Sequence, residues 1–162
     1  MKKDPVNHSF HLRRLAVSGL VMAIYVIVMY FTQSFAFGQY QIRIATGIYA
    51  LAAIHPYLII PLGLANSLSN FLFGQFFLPD VLGGLIAGIL TSAACYFLRK
   101  ISKYLVALPI LLIPSLVVPA FISSVIQVPY TALAISIGVG QILPGIAGVI
   151  LLTYLEKPLK KI

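Results

Sequence analysis

The 162 residues are 60% hydrophobic and only 9% charged, against about 25% charged in an ordinary soluble domain, which excludes a water-soluble globular protein and indicates an integral membrane protein. Lys and Arg outnumber Asp and Glu by 11 to 3, for a net charge of +8; the cations flank apolar segments, the pattern of topology signals and not of nucleic-acid binding. A single cysteine, Cys95, rules out an intramolecular disulfide and a cysteine-based metal site, and its setting in "LTSAACYF" reads as packing.

Crossing a hydrocarbon core of roughly 30 Å takes about 20 helical residues, fewer where neighbours shelter the ends. The first segment, near 14–32, follows Lys2, Lys3, Arg13 and Arg14. Its "SFA" at 34–36 loosely mimics a signal-peptide cleavage site, but the apolar run from Leu15 to Phe31 is longer than a signal core, so a retained helix is expected. A second segment, near 42–55, opens in "FGQYQIRIATG" with Arg43, whose nearest Lys or Arg neighbours in the chain are Arg14 and Arg99. "HPY" separates it from the third, near 57–73. The fourth, near 79–98, starts beside Asp80 and runs into Arg99, Lys100 and Lys103; the fifth lies near 104–125; the sixth, near 130–155, ends before Lys157, Lys160 and Lys161.

Six spans place both termini, all three basic clusters and the turn at His55 on one side, taken as cytoplasmic, with Arg43 the exception among the 11 cations. An odd number of spans loses that agreement. The expected architecture is therefore an all-α integral membrane protein, one bundle of six transmembrane helices with both termini cytoplasmic: an N-terminal tail at 1–13, the membrane domain at 14–155 and a basic C-terminal tail at 156–162. Pro61, Pro109, Pro114, Pro119 and Pro144 fall inside segments, where kinks and space between helices are expected.

Catalysis is not supported by the inventory. The acids are Asp4, Asp80 and Glu156, two of them in tails, while His8, His11 and His55 precede or separate spans; no acid–base pair, nucleophile–base pair or metal cluster assembles. What does recur toward the predicted extracellular side is a set of amides and phenols: Gln33, Gln39, Tyr40, Gln41, Asn66, Asn70, Gln75, Gln127, Tyr130 and Gln141. Amides are costly in lipid and should point inward, either to bond between helices or to meet an uncharged heteroaromatic ligand. Arg43 and Asp80, both near that side, are expected to pair, as a structural pin or as a ligand-contacting pair.

The stretch from "YVIVMYFTQSFAFGQYQIRI" through "GLANSLSN" to "PDVLGGLIAG" resembles the QueT family, substrate-binding S components of energy-coupling factor (ECF) transporters associated with queuosine precursors. The resemblance runs over about residues 20–98 and rests on "QIRI" at 41–44, Gly63 with Asn66, and Asp80 with Gly83; the last third matches only in its hydrophobic plan. Together with the amide and phenol set, it leads to an expected ligand site drawn from Gln39, Tyr40, Arg43, Thr46, Asn66, Asn70, Asp80, Gln127, Tyr130 and Gln141. It also implies a membrane coupling subunit and two ATPase subunits as partners. No Gly-x-x-x-x-Gly-Lys-Ser/Thr loop occurs in this chain, so no cofactor is expected here and ATP would act on the partners. Docking in such families uses small residues of the first helix, here Ala16, Gly19 and Ala23 in "AVSGLVMA".

Two positions depart from the family pattern. Thr46 stands where a glutamate usually follows "Q-x-R-I", and Gln141 stands in place of the Glu of a Gly-Glu pair. Both substitutions favour a neutral 7-deazaguanine, such as the nitrile precursor, over an aminomethyl cation. Two other readings remain open at this point: a solitary transporter that works without ATPases, and a membrane assembly protein with no small ligand.

Overall fold

The computed structural model describes residues 5–76 and 78–159 and, among them, is all helical. The α-helices are α1 (Pro5–Ala36), α2 (Ile59–Phe73), α3 (Leu78–Arg99), α4 (Ala107–Ile126), α5 (Tyr130–Gly140) and α6 (Ile142–Leu159), with shorter 3-10 helices at Ile44–Ala53, Pro56–Leu58 and Lys103–Val106. Five stretches are long and apolar enough to cross a membrane: His11–Ala36, Pro56–Phe73, Leu78–Arg99, Lys103–Ile126 and Tyr130–Pro158. The sixth expected pass falls on a shorter apolar 3-10 helix, Ile44–Ala53. Ten residues at about 2 Å each reach roughly 20 Å. That short pass survives because neighbours enclose it: Ala45, Thr46, Gly47, Tyr49 and Ala50–Ala53 are all buried.

Several expectations change in detail. Helix α1 starts at Pro5, so most of the expected N-terminal tail continues the first span. Lys2, Lys3, Asp4, Lys160 and Lys161 lie outside the described residues, as does the side chain of His8. Only Pro114 and Pro119 of the five expected prolines sit inside a helix. Pro61, Pro109 and Pro144 fall in the first turn of α2, α4 and α6, where the missing N–H has no intrahelical partner to lose. The last pass is broken between Gly140 and Ile142, leaving Gln141 at the joint.

Contacts fix the directions of the passes. Arg14 lies 5.2 Å over the Tyr57 ring and Tyr30 is 5.9 Å from Phe73, so α1 and α2 run side by side in the same sense. Asn66 meets Gly84 and Asn70 meets Asp80, which makes α2 and α3 antiparallel. An Arg99–Glu156 ion pair joins the ends of α3 and α6. Arg13, Arg14, Arg99, Lys100, Lys103 and Lys157 therefore gather at one end of the bundle.

Close approach of α2 and α3 depends on glycine. A Cβ on Gly88 would stand 2.8 Å from the Gly63 Cα, and one on Gly84 would overlap the Asn70 amide; backbone-to-backbone contact of this kind is what small residues permit between membrane helices. Against this pair, the core gathers Tyr25, Met29, Tyr49, Leu58, Leu62, Ile110 and Leu152. Tyr25 and Tyr49 stack at 5.7 Å and join hydroxyls at 3.0 Å, so neither phenol is left unpaired in the interior.

Candidate functional site

The glycine contact brings Asn66 and Asn70 to Arg43. The arginine caps the start of the Ile44–Ala53 helix and is only 4% exposed. Its Nε donates to the Ala36 carbonyl at 3.3 Å, and Nη1 donates to Asn66 Oδ1 at 3.3 Å and Asn70 Oδ1 at 2.9 Å. The guanidinium carbon lies 4.6 Å over the Phe37 ring. Both asparagines are held by their other amide atom, Asn66 Nδ2 donating to the Gly84 carbonyl at 2.9 Å and Asn70 Nδ2 to the Asp80 carbonyl at 2.6 Å.

Arg43 and Asp80 do not form the expected ion pair: among the described residues the salt bridge is Arg99–Glu156, and Asn70 stands between the two. The Asp80 carboxylate is turned toward the preceding turn, where Oδ2 accepts the Phe76 N–H at 2.9 Å. This follows from its place in the first turn of α3, where a carboxylate near free amide donors is stabilised. Neutral acceptors and one aromatic ring thus solvate the buried cation.

A second cluster continues the network toward the last pass. Thr46 Oγ1 lies 2.7 Å from the Arg43 carbonyl and 2.8 Å from Gln141 Oε1, so its single proton serves one acceptor at a time. Gln141 Nε2 donates to the Gln41 carbonyl at 3.0 Å, with Gln41 itself at a positive φ of 45°. Thr46 and Gln141 are 1% and 0% exposed and are spent on one another and on backbone.

Beside this network opens a cavity of about 360 Å³, lined by Phe37, Gln39, Gln41, Gln75, Phe76 and Ser136 among others. Its size falls in the lower part of the range for small-molecule sites. The 37–42 segment forms one wall and α5 another, and they are tied together: Ser136 Oγ donates to the Gln39 carbonyl at 2.8 Å, and a Cβ on Gly140 would collide with the Tyr40 carbonyl. Among the described residues the side-chain amides of Gln39, Gln41 and Gln75 make no hydrogen bond within the chain. Three amides and two rings thus meet one space.

Of the ten expected ligand residues, only Gln39 lines this cavity. Arg43, Thr46, Asn66, Asn70, Asp80 and Gln141 form the buried network beside it. Tyr40 is half exposed; Tyr130 donates to the Leu116 carbonyl at 2.9 Å; Gln127, at a positive φ of 55°, turns its amide to the Ser124 carbonyl. Sequence reasoning named Gln41 and Gln75 as part of the amide set but missed Phe37, Phe76 and Ser136. The aromatic residues on either side of "GQYQ" and just after Gln75 were the available signal.

Ala16, Gly19 and Ala23 all face away from the bundle, and a Cβ on Gly19 would meet nothing within 4 Å. Packing inside this chain therefore does not explain the glycine. Gly19 and Ala23 border an apolar groove with Met22, Val26, Ile27 and Leu68.

In comparisons with known proteins, the family model described as "QueT transporter" matches residues 15–157. No curated protein and no solved structure matches.

Proposed function

The chain belongs to the QueT transporter family, a family of membrane transport proteins, and on that premise we propose that it is the substrate-binding subunit of an ECF-type importer for a queuosine precursor. The ligand is a 7-deazaguanine held in the 360 Å³ cavity. One observation supports this most: Gln39, Gln41 and Gln75 bring unused amide donors and acceptors to a space faced by Phe37 and Phe76. A planar heterocycle with a carbonyl, an exocyclic amine and ring nitrogens needs that combination of paired polar edges and aromatic faces.

Arg43 supports the wall indirectly, through Phe37, and is a positioning residue in this reading. Among the described residues the cavity lining carries amides and no carboxylate, which favours the neutral nitrile precursor over an aminomethyl cation, since an unpaired ammonium would bear a desolvation cost of several kcal/mol. The basic end of the bundle faces the cytoplasm by the positive-inside rule, in a prokaryotic cell membrane, and the cavity end faces out. The outward-facing Ala16, Gly19 and Ala23 are the surface offered to a coupling subunit, with two ATPases supplying the energy.

Mass spectrometry of small molecules released by heating the purified protein tests the reading. A 7-deazaguanine in the extract supports it. An empty extract, together with no heat of binding for any 7-deazaguanine, contradicts it and returns the reading of an assembly protein with no small ligand, whereas a bound ligand without co-purification of a coupling subunit would return the solitary transporter.

A further inference from the structure

The corner between α3 and α4 has no part in the cavity, yet it carries an unusual arrangement of charge. Lys100 Nζ lies 4.5 Å from the Tyr96 ring centre and 5.3 Å from that of Phe97, and Lys103 Nζ lies 5.1 Å from that of Tyr104. Neither lysine meets a carboxylate among the described residues, and Glu156, the described acid at this end, forms an ion pair with Arg99. Around the two cations the apolar surface is open, with Ile101 76% and Tyr104 66% exposed, and Phe97 and, at the start of α4, Leu108 exposed as well.

An ammonium over an aromatic face keeps its remaining N–H donors directed outward. Two such cations three residues apart, bordered by exposed apolar groups, offer a phosphate on one side and hydrocarbon on the other. A soluble anion uses only the first feature; a phospholipid uses both. We propose that Lys100 and Lys103 bind the phosphate of an anionic phospholipid, whose acyl chains lie along Phe97, Ile101 and Leu108. The site is a lipid clamp at the basic end of the bundle, independent of the ligand cavity and of which face of the membrane that end occupies.

The test uses the full chain in nanodiscs of phosphatidylcholine containing a minor fraction of phosphatidylglycerol, with the lipids retained after detergent extraction counted by native mass spectrometry. Wild type should keep phosphatidylglycerol in preference to phosphatidylcholine. Lys100→Gln with Lys103→Gln should lower that preference by about fivefold for each cation removed, the scale of a basic residue at a charged surface. Arg13→Gln with Lys157→Gln removes the same charge from the same end and should keep most of it. Equal losses in the two double variants would mean a diffuse surface potential and would overturn the site. Displacement of the lipid by inorganic phosphate would overturn the assignment to a phospholipid.

Discussion

Two groups of amides, one buried and one at least partly exposed, lie side by side and behave oppositely. Asn66, Asn70 and Gln141 are spoken for, each bonded at both ends of its amide to Arg43, Thr46 or a backbone carbonyl. Gln39, Gln41 and Gln75 face open space and bond nothing in the chain among the described residues. The same residue types thus serve as mortar in one place and as a receptor surface in the other. Partners make the difference: Asn66 and Asn70 stand where α2 and α3 touch, and Gln141 stands at the joint of α5 and α6 against Thr46, each with partners within reach, whereas the second group lines the open space beside the 37–42 segment and α5.

If that division is right, damage to the first group should unfold the protein and damage to the second should only weaken ligand binding. Asn70→Leu removes the shortest acceptor of the Arg43 guanidinium and the donor to Asp80, so denaturation in detergent should show a loss of about 2–4 kcal/mol, from a lost hydrogen bond to a buried charge together with an orphaned carbonyl. A near-neutral result would mean that water already solvates Arg43. Gly140→Ala should come next, at about 1–3 kcal/mol, because its Cβ must displace the Tyr40 carbonyl and with it one wall of the cavity; ligand affinity should fall with stability. Thr46→Ala, which removes the hydroxyl between the Arg43 carbonyl and Gln141, should cost about 1 kcal/mol.

Gln75→Ala marks the other side of the comparison. Its stability should stay within about 0.5 kcal/mol of wild type, while one lost hydrogen bond lowers ligand affinity by about 0.5–1.5 kcal/mol. A large stability loss would place Gln75 with the mortar. Smallest of all is the structural effect of Gly19→Leu, expected to leave ligand binding unchanged and stability undiminished, since the position faces away from the bundle and nothing lies within 4 Å of the added Cβ; uptake in cells should nevertheless fail if that face meets the coupling subunit.

Much of this plan was legible beforehand. Six apolar stretches, a shared basic end and a polar far end follow from hydropathy and from the positions of Lys and Arg alone. The division among the amides was not legible, because it depends on where two helices touch, and that is set by Gly63 and Gly88 at a spacing no local pattern announces. Arg43 was recognisable as anomalous, but its partners were misjudged: charge suggested Asp80, whereas geometry supplied two neutral asparagines. Thr46 and Gln141 look like a pocket pair in the sequence because the resemblance leads one to expect acids at both positions, and only the fold shows them bonded to one another beside the cavity.

The central claim is that the free amides, and not the bonded ones, receive a neutral 7-deazaguanine. Calorimetric titration of the nitrile precursor into wild type and into Gln39→Ala/Gln75→Ala, with the aminomethyl analogue as comparison, tests it most directly. The account predicts saturable binding of the nitrile by wild type in preference to the aminomethyl compound, and at least a tenfold loss in the double variant from two hydrogen bonds of about 1 kcal/mol each, at unchanged stability. Undiminished binding in the double variant, or preference for the cation, would contradict it.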